Sequence, residues 1–303
     1  MTFFGVHAGP QMCTMDELHQ VWRASEDLGF DWVSIWDHFY ANPRAFDESC
    51  FEAVASQAAL AATTSRVRVG SLVYSAGYRH PAVLANAAVT IDHISNGRLE
   101  LGVGAGWHKP EYEGYGIPFE TPGVRLRRLA ESIEIIRALW TTDVVDYDGE
   151  FYTLRGARCV PKPVQPSARI WVGGTQPRAL ALAGRLGDAW NVAAVSPKEF
   201  EQKYEIVRQN APDPDRLATG VNLVYVGVGE NGLEAELRKR LYDPTQSQLT
   251  DNMLVADDMS RVADRVKEYV DAGVQWIILN IRAPFDLDPL RRFAEEVIPL
   301  FRS

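Results

Sequence analysis

Eight short apolar runs alternate with eight helix-periodic stretches along the chain, and this alternation constrains the fold more than any other feature. The runs lie at 3–8, 32–36, 67–73, 99–103, 170–173, 189–193, 221–228 and 276–281. Helical periodicity follows at 16–28, 51–62, 81–94, 124–140, 177–186, 197–209, 261–272 and 290–301. Runs that are apolar on both parities suit parallel strands buried on both faces. Thr14 as a helix N-cap, Gly29 as a stop and Pro81 in a first helical turn punctuate the pattern. One interruption, 143–154, reads as a hairpin around an Asp148-Gly149 turn. Eight βα units in 303 residues predict a closed α/β (β/α)8 TIM barrel spanning 1–303 as a single domain. Segment 233–258 is less regular and reads equally as a cover over the site or a plain surface connection.

Charge and thiols narrow the function class. Thirty-one Lys and Arg against forty Asp and Glu give −9, which disfavours nucleic acid and anionic lipid, so any bound phosphate needs local donors. Cys13, Cys50 and Cys159 are odd in number and form no CxxC, which predicts free thiols in a reducing compartment. No basic n-region opens the sequence and no run nears the roughly 20 apolar residues of a membrane span. The expected setting is cytoplasmic, without a membrane.

In such barrels ligands sit at the carboxyl ends of the strands. Asp37 and His38 follow the second run directly, and an imidazole beside a carboxylate suits general acid–base work near neutral pH. The competing reading makes Asp37 a loop cap and His38 a structural histidine. Gly104-Ala105-Gly106 allows close backbone approach of a ligand, and Gly173-Gly174 with Thr175 and Gln176 offers N–H groups at a helix start to a phosphate. Arg79 and His80 could meet a ligand or cap their turn, while His108, Lys109, Glu111 and Tyr112 read as a polar or solvated loop. His7 ends the first run. Although His7, Asp37, His38 and Asp188 could converge in some barrels, there is no HxH or HExxH spacing, and no metal is expected.

Several long segments in the right order then point to a family. LGFDWVSIWDHF, RVRVGSLVYSAGYRHPAVLANAAVTIDHISNGRLELGVGAGWHKPEYEGYGIPF, CVPKPVQ, IWVGGTQ and LGDAWNV resemble the bacterial luciferase-like flavin and deazaflavin oxidoreductases, especially the coenzyme F420-dependent branch. The resemblance implies a flat tricyclic cofactor across the strand ends, with Asp37 and His38 beside the ring. It implies a non-proline cis bond at Leu72–Val73, with Ser71 adjacent, that bulges the third strand and backs the ring. Gly104, Ala105, Gly106 and Trp107 would approach the cofactor, Gly173, Gly174 and Thr175 would hold its phosphate, and Trp190 would complete the wall.

The implied activity is F420-dependent hydride transfer to or from a small organic substrate, with His38, oriented by Asp37, handling the proton. The alternatives are an FMN-dependent monooxygenase using reduced flavin and a non-catalytic flavin-binding barrel. Relatives commonly form dimers, which implies a homodimer. The sugar-phosphate dehydrogenases of the family carry a Trp and a Glu where Asn42 and Trp107 stand here, so their acid is expected to be missing.

Overall fold

The structure is a computed structural model that describes residues 1–41, 46–226, 253–256 and 258–302. Asn42 and most of the irregular segment, 233–252 and 257, lie outside the described residues. Strands β1 (Phe3–Ala8), β2 (Trp32–Ile35), β3 (Arg68–Ser71), β5 (Leu99–Gly104), β8 (Arg169–Gly173), β9 (Ala189–Ala193), β10 (Ala218–Val226) and β12 (Trp276–Ile281) are joined in that order by parallel pairing. Pairing of β10 with both β9 and β12, and of β12 with β1, closes the ring. The (β/α)8 expectation holds. A two-residue strand, β4 (Tyr74–Ser75), continues β3 along β5, and another, β11 (Leu254–Val255), adds to β10.

Strand parity decides what faces the barrel axis. Even positions of β1 (Phe4, Val6, Ala8) and odd positions of β5 (Leu99, Leu101, Val103) pack outward against the helices in the main core. Inward, the lower barrel is plugged by Trp32, Trp171 and Trp276, with ring centroids 4.9–6.1 Å apart, and Phe3 stacks on Trp276 at 4.4 Å. Beside them the buried Glu100 carboxylate is paired with Arg68, lies 3.3 Å from Arg169 and accepts from Trp171 Nε1 at 2.6 Å. Taking Trp276, 3% exposed, to alanine opens this floor. The expected cost is about 3–5 kcal/mol, read from urea unfolding midpoints, and a loss below about 1 kcal/mol would deny the plug its role.

Where the elements depart from expectation, local chemistry explains it. The third run stops at Ser71 instead of reaching residue 73, because the Leu72–Val73 bond is cis, as the resemblance implied, and the ladder resumes only at β4. The 143–154 hairpin is β6 (Val145–Asp148) with β7 (Thr153–Ala157), and a four-residue connection closed by Gly149 N–H to Tyr152 O replaces the tight Asp-Gly turn. The last helix, expected at 290–301, breaks into an α-helical turn Asp288–Arg292, a π segment Phe293–Val297 and a 3-10 turn Ile298–Phe301. Pro299 lacks the N–H that would continue the α ladder. Thr14 caps the first helix (Met15–Asp27) in a reciprocal box with Glu17. Among the described residues no helix is long and apolar enough to cross a membrane.

Candidate active site

Beyond β2 the chain turns across the barrel mouth as Trp36-Asp37-His38. His38 does not lean on Asp37, and this corrects the expected pair. Its Nδ1 meets the Glu111 carboxylate at 2.9 and 3.0 Å, with the His38 side chain 23% exposed and Glu111 fully buried. Glu111 also accepts from Phe39 N–H at 2.7 Å, Tyr40 N–H at 3.0 Å and the Tyr78 hydroxyl at 2.5 Å. Burial pushes this acid upward, but His38's bond and charge, the Tyr78 hydroxyl and the Tyr40 N–H outweigh it and hold the carboxyl at about 2. A carboxylate that is ionised through the neutral range is an obligate acceptor, so the His38 Nδ1 carries hydrogen. The other ring nitrogen, Nε2, is left to exchange a proton with a ligand.

Asp37 serves the wall instead. Its two oxygens accept from the Arg79 guanidinium at 2.7 and 2.9 Å, and one also takes Ser75 N–H at 2.9 Å. That fork ties the end of β2 to the chain beyond the cis bond. Of the expected Arg79–His80 pair, Arg79 turns inward to Asp37 and also pairs with Glu52, while His80 caps helix α3 (Pro81–Ile94) by accepting Ala82 N–H at 3.2 Å.

The other side of the mouth is smooth and apolar. Leu72 and Val73 face the barrel interior. A Cβ on Gly104 would lie 2.6 Å from a Val73 methyl, too close without a shift, and one on Gly173 would crowd the other methyl at 3.1 Å. Ser71 is not on this surface. It is buried, and its hydroxyl brackets Gly102 N and O at 3.1 Å each, fastening β3 to β5 where the ladder breaks. Gly106 adopts φ +76, and a Cβ there would strike the Tyr112 hydroxyl, so Gly104-Ala105-Gly106 is constrained by its own packing. Gly173 and Gly174 are half-buried and Thr175 is exposed ahead of the helix Pro177–Leu186.

Trp190 is misplaced by the sequence reading. In β9 it has outward parity, is fully buried against Phe200 and Tyr204, and reaches the site only by donating from Nε1 to Gly174 O at 3.0 Å. Asp188 is also remote. It accepts Ile170 N–H at 2.9 Å at the start of β8, the opposite end of the barrel.

Glu111, in a stretch whose composition suggests a polar loop, sits on a short helix, Lys109–Gly114. The available signal was Pro110, a residue favoured in a first helical turn, which would have set Glu111 on a helix facing the mouth. Position 107 is a Trp, and the buried acid at the mouth is Glu111, four residues on. Trp107, 63% exposed, stands edge-on to His38 at 5.6 Å, and buried His108 lies 3.3 Å from Glu111. His38, His108 and Glu111 bring three metal-ligating atoms within 4.8 Å of one another, but both Glu111 oxygens are already occupied by hydrogen-bond donors.

The chain is 29% identical to an F420-dependent glucose-6-phosphate dehydrogenase of Amycolatopsis mediterranei (strain U-32), over 92% of each chain. It is 37% identical to a 5,10-methylenetetrahydromethanopterin reductase of Archaeoglobus fulgidus, over 67% of this chain and 56% of the other. Its fold matches that of an F420-dependent secondary alcohol dehydrogenase in complex with an F420-acetone adduct, with a TM-score of 0.87 at 22% identity, covering 100% and 99% of the two chains. The family model for luciferase-like monooxygenases matches residues 1–238, and the chain belongs to that family.

Proposed function

We propose that the protein is a coenzyme F420-dependent oxidoreductase acting on a small organic molecule. The observation that carries this is the pairing, across one barrel mouth, of a side-chain-free apolar shelf with a proton-exchanging imidazole. Leu72, Val73, Gly104 and Gly173 offer the flat surface a tricyclic ring needs, and the cradle is one that any Cβ would fill. Gly174, Thr175 and the N–H groups that open the helix Pro177–Leu186 are suited to a phosphate. Bound F420 would supply two-electron hydride chemistry. The chain itself supplies the rest: Glu111 fixes the His38 tautomer, His38 Nε2 takes or gives the proton, and Trp107 stands edge-on beside the imidazole.

Relatives of this chain that are named for F420 dependence support the choice of cofactor. Free Cys13, Cys50 and Cys159 fit a reducing, cytoplasmic setting. Fluorescence titration of the purified protein with F420 and with FMN tests the reading. The expected result is tighter binding of F420 by about tenfold or more, near 1.4 kcal/mol, followed by a substrate-dependent change in deazaflavin absorbance. A clear preference for FMN with oxygen uptake would replace it by a monooxygenase.

A further inference from the structure

The barrel mouth has a second half that the cofactor shelf does not use. On β2, β1, β12, β10 and β9 the inward positions are Ser34, His7, Asn280, Asn222 and Asn191, an arc of uncharged polar side chains. Register makes them neighbours: His7 lies beside Ser34 on one strand and Asn280 on the other, and Gly220 pairs with Asn191. Part of the arc satisfies itself, since Asn191 donates to Asn222 at 3.0 Å and the His7 Nδ1 meets the Ser34 hydroxyl at 2.9 Å. Two groups stay over. Asn280 Oδ1 is buried with no partner among the described residues, and His7, only 3% exposed, makes its hydrogen bond through Nδ1 alone. Buried polar groups without partners are uncommon in native proteins and call for an explanation; at the mouth of a barrel, where ligands bind, a bound hydroxyl supplies one.

The chemistry of the leftover pair is specific. In the tautomer in which Ser34 donates to Nδ1, the His7 Nε2 carries hydrogen and donates, whereas Asn280 Oδ1 can only accept. We propose that His7, in this tautomer, and Asn280 together hold a neutral hydroxyl of the substrate, whose oxygen accepts from His7 Nε2 and whose hydrogen goes to Asn280 Oδ1. An ether could satisfy only His7, and a carboxylate would bring a second acceptor and a buried charge against Asn280. Burial, then the charges of Arg282 and His38, hold the His7 imidazole at about 3, so it stays neutral at working pH and acts as a specificity-determining donor. That the occupant is a substrate rests on the oxidoreductase reading above.

Cyclohexanol and methoxycyclohexane, a matched alcohol and ether, test the arc by ligand-observed NMR titration of F420-loaded protein, with the His7 ring nitrogens followed by ¹⁵N shift. Wild type should bind the alcohol about tenfold or more tightly than the ether, with Nε2 of His7 shifting only for the alcohol. His7→Phe and Asn280→Leu should each shrink that ratio to about twofold or less, with F420 affinity kept within about twofold. A wild-type preference that is absent, or that survives both substitutions, overturns the proposal. So does a loss of F420 affinity of about tenfold or more in His7→Phe, which would give the arc to the cofactor. Failure of wild type to bind F420 overturns the oxidoreductase reading instead. The same alcohol–ether comparison on unloaded protein then still decides the hydroxyl assignment.

Discussion

Replacing His38 by alanine lowers turnover by about 10²–10⁴-fold, the usual weight of a positioned acid–base group, and leaves folding and cofactor affinity near wild type. The two halves of this expectation have separate causes. Turnover falls because Nε2 of His38 is the ring nitrogen left for proton exchange once Nδ1 is bound to Glu111 at 2.9 Å. Folding survives because the side chain is 23% exposed, and because Glu111 keeps the Phe39 and Tyr40 N–H groups and the Tyr78 hydroxyl when the imidazole is gone. Rapid-mixing measurement of deazaflavin reduction or oxidation with a turned-over substrate reads the loss, and added imidazole should restore part of it. Unchanged turnover would remove His38 from the chemistry, and a barrel that merely stores a flavin would then account for the family resemblance.

Most of the barrel was legible because strands and helices are specified locally. Helices Pro81–Ile94 and Pro177–Leu186 begin at prolines and run to the expected residues, and strands Phe3–Ala8, Ala189–Ala193 and Trp276–Ile281 match residue for residue. The site was legible only where position along a strand decides it. Asp37 and His38 follow β2 and do reach the mouth, but adjacency in sequence pointed to the wrong partner. Successive residues leaving a strand diverge, so Asp37 reaches Arg79 and His38 reaches Glu111, 73 residues on. Only the tertiary fold brings that carboxylate in. Trp190 shows the opposite error, since period-two alternation with Ala189 and Asn191 facing inward already assigns its ring to the helix side. For a large aromatic beside a site, strand parity and not ring chemistry decides which side it faces.

Glu111→Gln should cost as much in turnover as losing His38, about 10²-fold or more, by a different route. One oxygen of Glu111 accepts two backbone N–H groups, the other accepts from Tyr78, and His38 Nδ1 meets both, at 3.0 and 2.9 Å. An amide can place an oxygen at only one of these positions. If it keeps the backbone bonds, its NH₂ replaces the nearer of the two oxygens that meet His38 Nδ1, so the charged acceptor that fixed the ring hydrogen is gone and the tautomer with hydrogen on Nε2, which has no free lone pair at the mouth, is no longer disfavoured. Stability carries the second signature. The folded carboxyl sits at about 2 against an ordinary value of 4.5, so its contribution is complete above about pH 4.5 and is lost as pH falls toward 2. That contribution is on the order of 3 kcal/mol at pH 7. The variant should therefore be markedly less stable than wild type at pH 7 and approach it near pH 2, because the protonated wild-type acid then resembles the neutral amide and no longer anchors His38 by charge. Urea midpoints for the pair across this range check the sign, and the difference between the two proteins cancels other acids, such as Glu26, that titrate in both. A gap that stays constant with pH would mean that Glu111 acts by packing alone, and the turnover loss would then need another cause.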